Sequence, residues 1–377
     1  MRIAVTTFAF CIAALLALGM VMLYSASMRG GAGLLIAQLT WCGLGIVACV
    51  IATKLDYRLL KKFNWVIYGA AIVMLLLVFV PMIGIHRNGA SRWIGWAGKS
   101  FCQPSELGKI AIIIALAWYG DHYQRYMESW WRGLVVPGCM AGTLLGLIFI
   151  EPDRGTTILL AAVSGTMLVV AGVRLRYIVP FALVGLLGLA ISILQDPMRM
   201  RRIMSWLDLE ETKTTTGQQA YQAMLALGAG GWTGLGLGNG RQKLGFVPEN
   251  HTDFIFSVIG EELGLIAGLL VLVAFLLILI CGVFIASRAR DKFGFLLGIG
   301  ITFLIGFQAF INIGVVTSAL PNKGLPLPFI SYGGSNLFIL LTCVGIVFSI
   351  ARIARHSTTV TSFEEAPANP FAKPQTA

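Results

Sequence analysis

The sequence predicts an all-α polytopic membrane protein of ten transmembrane helices, with a large structured extracytoplasmic loop between spans 7 and 8. Three observations carry that prediction. Of 377 residues, 57% are hydrophobic and 12% charged, where a soluble domain carries about 25% charged residues. Nine stretches free of Asp, Glu, Lys and Arg reach the roughly 17 to 25 residues a helix needs to cross a bilayer. The interval at about 195–253 exceeds the roughly 12 to 15 residues beyond which an unstructured connection is uncommon.

The uncharged stretches are 4–24, 33–53, 64–85, 133–150, 155–173, 177–195, 263–287, 293–322 and 324–351. A shorter window, 110–120, becomes a span only by extending back through Glu106 and Lys109. Charges at that depth are expensive and usually functional. The first stretch is longer than the ~7 to 15 apolar residues of a signal peptide and reads as a retained span. Ten spans put both termini on one side. With the termini cytoplasmic, 15 Lys and Arg lie inside and 13 outside, or 7 once the six in the long loop are set aside. The positive-inside rule favours that orientation. The net charge of +11 would suggest a nucleic-acid partner in a soluble chain; here it is mainly an orientation signal. Residues 1–355 form the membrane domain in this reading, and 356–377, with Pro367, Pro370 and Pro374, a disordered cytoplasmic tail.

The cysteines form no CxxC pair and read as small apolar packing residues. The four histidines show no HExxH spacing, which argues against zinc.

Three outward segments depart from a plain bundle. His86 to Lys109 is rich in Gly, Arg, Trp and Lys. Its AGKS tail is no phosphate loop, because Trp93 stands where the motif requires Gly. Gln103 and Pro104 can start a helix, and Glu106 and Lys109, three apart, share one of its faces. They read either as a satisfied ion pair or as part of a polar cavity. The turn Glu151 to Thr157 packs three charges into four residues, and Asp153 can cap the next helix. In the long loop, Met200, Ile203, Met204 and Leu207 form a stripe that Arg199, Arg201 and Arg202 avoid, the pattern of a basic amphipathic helix on the membrane surface. The glycine run that follows has no preceding strand, which rules out a dinucleotide site. It leads to Arg241, Lys243, Glu249, His251 and Asp253 at the mouth of the eighth span. For Glu262, two turns into that span, burial against a neighbouring helix is the favoured reading. Leu320 to Leu337 holds three prolines and three glycines, so it forms broken structure packed against protein or a cavity.

These residues resemble the SEDS family of FtsW and RodA proteins. GASRWI, QPSELGK, EPDRGTT, PENHTDFIFSVIGEELG and LPLPFISYGGSNL match it in order and spacing, over roughly residues 20–355. The resemblance implies a membrane peptidoglycan glycosyltransferase that polymerises lipid II beside a class B penicillin-binding protein and other divisome proteins. It implies Asp253 as the catalytic residue and functional importance for Glu106 and Lys109. Lys323 in PNKG and the stretch Arg241 to Lys243 are more similar to the division branch, FtsW, than to the elongation branch, RodA. Glu151 departs from the family, which usually has Gln there.

The chemistry implied is attack of a sugar hydroxyl on an anomeric carbon that carries a pyrophosphate. Glycosidases need a second carboxylate to protonate the leaving group, whereas pyrophosphate leaves without one. One base, Asp253, is then enough. Arg92, Lys109, Arg241 and Lys243, either alone or with Mg²⁺ or Mn²⁺, would stabilise the departing charge, with Asp153, Glu249 and His251 as further candidate contacts. No nucleotide is needed. The rival reading is a flippase for a lipid-linked precursor. Transporters, however, place polar residues at the midplane, and here they cluster outside.

Overall fold

The computed structural model describes residues 1–27, 33–80, 84–87, 90–96, 99–215, 217–241 and 252–364. Lys243, Glu249, His251 and the tail from residue 365 therefore lie outside the described residues, and for 356–364 only the backbone is described.

The chain is predominantly helical, as its hydropathy requires. The helices are α1 (Arg2–Ala26), α2 (Gly33–Lys54), α3 (Arg58–Lys62), α4 (Asn64–Leu77), α5 (Pro104–His122), α6 (Val136–Ile150), α7 (Arg154–Ala171), α8 (Leu175–Leu194), α9 (Pro197–Leu207), α10 (Gln218–Gly230), α11 (Ile255–Ser287), α12 (Lys292–Val316) and α13 (Gly334–Glu364). A π-helical turn, Trp130–Val135, leads into α6. Among the described residues, eight helices are long and apolar enough to cross a membrane: α1, α2, α6 with its π turn, α7, α8, α11, α12 and α13. The apolar α4 is shorter, at 14 residues, and α5 carries Glu106 and Lys109 in its first turns.

One element departs from the all-α expectation. Gly84–Arg87 (β1), Ala90–Trp96 (β2) and Lys99–Cys102 (β3) form a three-stranded antiparallel sheet in the order β1-β2-β3. Its register pairs Ile85 with Trp93 and Ile94 with Cys102. Two-residue connections carrying glycine favour hairpins, and Asn88-Gly89 and Ala97-Gly98 stand between the strands. The sheet leads directly into Gln103 and the proline that opens α5.

The interior is built around α5, α12 and α13. The apolar side of α5 is buried almost throughout, from Ile110 to Ala117. By contrast α8 has no buried residue, the arrangement of a helix that faces lipid. Ser25 near the end of α1 meets Glu262 near the start of α11, while Phe8 stacks edge-on against Phe348 of α13 at 5.8 Å. The bundle thus has two distinct ends. One holds Ser25, the start of α5 and the start of α11. The other holds the start of α1, the end of α2 and the later turns of α13, where Ser349 Oγ donates to Leu55 O at 2.5 Å.

Within the long loop, α9 realises the amphipathic stripe: Met204 and Leu207 are exposed, and Trp206 Nε1 fastens the helix to Ser318 O at 2.8 Å. The glycine run has a structural role. Gly264 breaks α11 with φ 78°, a conformation open to Gly but costly for other residues. The break leaves helical N–H and C=O groups without intrahelical partners. Leu265 N donates to Gly231 O at 2.9 Å, while Leu235 N and Gly236 N donate to Glu261 O at 2.9 Å and Glu262 O at 3.0 Å. The loop approaches so closely that a Cβ at Gly234 would sit 2.2 Å from Glu262 O.

Candidate functional site

Asp253 lies one residue before the cap of α11 and is half-buried. Two elements place it. Asn312 of α12 donates from Nδ2 to the backbone carbonyl of Asp253 at 2.8 Å and to that of Leu325 at 2.7 Å. Ser331 Oγ donates to Thr252 O at 2.6 Å and accepts from Leu327 N at 2.8 Å. The proline-rich segment between α12 and α13 is thereby tied to the residues around Asp253. The carboxylate faces that segment: a Cβ at Gly324 would come within 3.0 Å of Asp253 Oδ2. Glycine leaves the carboxylate room at this approach.

The next residue back is Lys323, and burial together with the nearby Arg202 and Arg199 lowers its ammonium pKa. Arg199 and Arg202 of α9 thus lie near enough to Lys323, in the α12–α13 segment, to act on its charge. Arg199 also pairs with Asp196 at 2.7 Å.

Glu106 and Lys109 come together as a buried ion pair, 3% and 0% exposed. Lys109 Nζ donates to the two Glu106 oxygens at 2.9 and 3.0 Å. It also approaches Gln308 Oε1 and Asn336 Oδ1, each at 3.4 Å. Gln308 Nε2 in turn donates to Pro326 O at 2.9 Å. Gln308 and Asn312 are one turn apart on α12, so one helix face links the buried pair to the segment beside Asp253. Of the two readings left open for Glu106 and Lys109, the satisfied ion pair is the one present, and it is embedded in a polar network.

Arg92 of β2 donates through Nη2 to Pro152 O at 2.6 Å and through Nε to Glu151 O at 3.3 Å, pinning the sheet to the turn between α6 and α7. Asp153 caps α7 by accepting from Thr156 N at 3.2 Å and also accepts from Gln103 Nε2 at 3.2 Å. Both residues thus hold backbone in this structure. Glu151 is fully buried, and among the described residues neither carboxylate oxygen has a hydrogen-bond partner. Burial, reinforced by Asp153 and only partly offset by Arg92, pushes its pKa up to about 8.

Arg241 is exposed, while its backbone N–H donates to Glu261 Oε1 at 2.7 Å. Glu262 accepts from Ser25 Oγ at 2.8 and 2.6 Å and from Gly238 N at 3.0 Å. The structural reading of Glu262 fits these contacts, and Glu261 shares the task of anchoring the loop.

Sequence reasoning passed over Gln308, Asn312, Ser331 and Asn336. A signal existed: Gln308 and Asn312 are four apart in a stretch that is otherwise almost wholly apolar. Neutral polar residues do not interrupt a charge-free window, so a search for charges does not find them.

Comparison with known proteins matches this architecture to one group. The profile of the cell cycle protein family that joins FtsW, RodA and SpoVE matches residues 6–356. A protein of Geobacter metallireducens named a probable peptidoglycan glycosyltransferase FtsW is 42% identical over 345 residues, covering 90% of this chain and 92% of the relative. Stage V sporulation protein E of Bacillus subtilis is 37% identical over 349 residues, covering 91% and 95%. Among solved structures, one described as a peptidoglycan synthase complex that coordinates polymerization and crosslinking aligns with a TM-score of 0.77 at 29% identity, covering 92% of this chain and 97% of that one. The rod shape determining protein RodA of Thermus thermophilus aligns with a TM-score of 0.67 at 28% identity, covering 92% and 95%. The chain belongs to the FtsW/RodA/SpoVE family.

Proposed function

We infer that this chain is an FtsW-like peptidoglycan glycosyltransferase, an enzyme of cell-wall synthesis and division embedded in the bacterial cytoplasmic membrane. The observation that carries the reading is Asp253: a half-buried carboxylate, fixed through its backbone by Asn312 and faced by the segment that contains Lys323. The substrate is lipid II, a disaccharide-peptide on undecaprenyl pyrophosphate. Asp253 takes the proton from the acceptor sugar hydroxyl as that oxygen attacks the anomeric carbon, a role worth roughly 10² to 10⁴ in rate. The pyrophosphate departs with its bonding electrons. Lys323, Arg199 and Arg202 stabilise its charge, with Arg241 and Lys243 as further donors from the loop. Single displacement inverts the anomeric centre. Lys109 and Glu106 act from within the bundle by holding α5 to α12 and α13.

Among the described residues no three His, Cys, Asp or Glu side chains converge on one point. Mg²⁺ or Mn²⁺, where used, would be held mainly by phosphate oxygens and a carboxylate, a mode Mg²⁺ often uses.

In this reading α4 and α5 join the eight long apolar helices to make ten spans. Both termini are cytoplasmic, and Asp253 faces outward with the long loop. The partner is a class B penicillin-binding protein, in keeping with the synthase complex that this fold resembles.

The test is reconstitution of the purified chain with lipid II and its transpeptidase partner. Glycan polymer made at the expense of lipid II supports the reading. Lipid II crossing the vesicle bilayer with no polymer formed supports a flippase instead and contradicts it.

A further inference from the structure

At the end of the bundle opposite Asp253, a cavity of about 530 Å³ opens between α1, α2 and α13. Its volume falls within the roughly 300 to 1,000 Å³ of small-molecule sites. Val5, Ala9, Phe348 and Ala351 give it apolar walls, while Arg352 and Arg355, three apart on α13, bring two guanidinium groups to it. Among the described residues none that lines it is acidic. Val5 and Ala9 belong to the first two turns of α1, so the positive end of that helix lies beside the same cavity. The surrounding surface is apolar and exposed on both flanking helices, at Phe10 of α1 and at Val47, Val50 and Ile51 of α2. An occupant must therefore carry an anionic group for the arginines and hydrocarbon for the walls. A soluble anion meets only the first requirement.

We propose that this cavity binds one anionic phospholipid, with its phosphate on Arg352 and Arg355 and its upper acyl segments along Val5, Ala9 and Phe348. Guanidinium groups suit the phosphate because they form paired, charge-assisted hydrogen bonds. The site is independent of the glycosyltransferase reading, since it lies at the other end of the helices from Asp253.

The test is native mass spectrometry of the full chain with added phosphatidylglycerol or phosphatidylcholine of identical acyl chains. Wild type retains one phosphatidylglycerol with a preference of roughly tenfold, the scale expected when arginines meet an anionic head group. The Arg352→Gln/Arg355→Gln variant loses the preference, and the charge-matched Arg288→Gln/Arg290→Gln variant keeps it. Ala9→Phe, which enlarges one wall into the cavity and leaves both guanidinium groups in place, lowers retention to a similar degree. It also decides the matter should the double arginine variant fail to fold. No preference in wild type, equal loss in both double variants, undiminished retention by Ala9→Phe, or displacement by millimolar inorganic phosphate would each overturn the proposal.

Discussion

Asn312 Nδ2 donates at once to the backbone carbonyls of Asp253, at 2.8 Å, and Leu325, at 2.7 Å. One amide in the middle of the polar network therefore sets where the chain carries Asp253 relative to the α12–α13 segment. Asn312→Leu removes the donor that both carbonyls share, and a buried group left without its partner costs about 1–3 kcal/mol. Chemical denaturation is expected to show that loss, and polymerisation in reconstituted vesicles to fall further than the surviving folded fraction accounts for. Activity that tracks the folded fraction would mean Asn312 is purely structural.

The Glu106–Lys109 pair behaves as a unit. Removing one partner strands a buried charge, a change that costs about 3–5 kcal/mol, whereas replacing both by apolar groups of similar volume is often neutral. Lys109→Met is thus expected to lower thermal stability in detergent sharply, and Glu106→Leu/Lys109→Met to restore most of it. A double variant as unstable as the single one would show that Gln308 and Asn336, rather than Glu106, satisfy the lysine.

Glu151 makes stability depend on pH. Its carboxyl titrates near 8 in the folded chain and near 4.3 when unfolded, so the folded state holds the proton longer. Its contribution is complete below about pH 4, declines as pH rises, and is lost above about pH 8. The expected outcome is that Glu151→Gln gains on wild type by a few kcal/mol between pH 5 and pH 8. A stability difference that stays flat across that window contradicts the burial of an unpartnered carboxyl.

Gly234→Ala forces a Cβ to 2.2 Å from Glu262 O at a residue with φ 80°. Either effect alone is unfavourable, and a loss of at least about 2 kcal/mol is expected. The clasp over the break in α11 should loosen first. Hydrogen exchange at Leu265 and Ile266, whose amides donate to Gly231 O and Trp232 O, reads it directly, and unchanged protection there would show that the break is held by other contacts.

Hydropathy made the helices legible because the bilayer imposes one length on every span, and the spacing of Pro104, Asp153 and the methionine stripe located their ends. The β1–β3 sheet escaped because its hairpin signals, Asn88-Gly89 and Ala97-Gly98, were set among conspicuous charges that drew attention to chemistry instead. Asp253, Glu106 and Lys109 stood out as charged residues in specific motifs. Asn312 and Gln308 did not, since a neutral amide inside an apolar run acquires its meaning only when a distant carbonyl is brought to it. The convergence of Arg199, Arg202 and Lys323 is likewise tertiary: more than a hundred residues separate α9 from Lys323, and the Trp206–Ser318 bond that joins them has no local signature.

The most direct measurement compares Asp253→Asn with wild type in polymerisation of lipid II, with substrate binding followed in parallel. Asparagine keeps the shape and the backbone carbonyl that Asn312 holds, and it removes only the basic oxygen. Polymer formation is expected to fall by roughly 10² to 10⁴ with lipid II affinity and folding unchanged. Polymerisation by Asp253→Asn at the wild-type rate would contradict the assignment of Asp253 as the base.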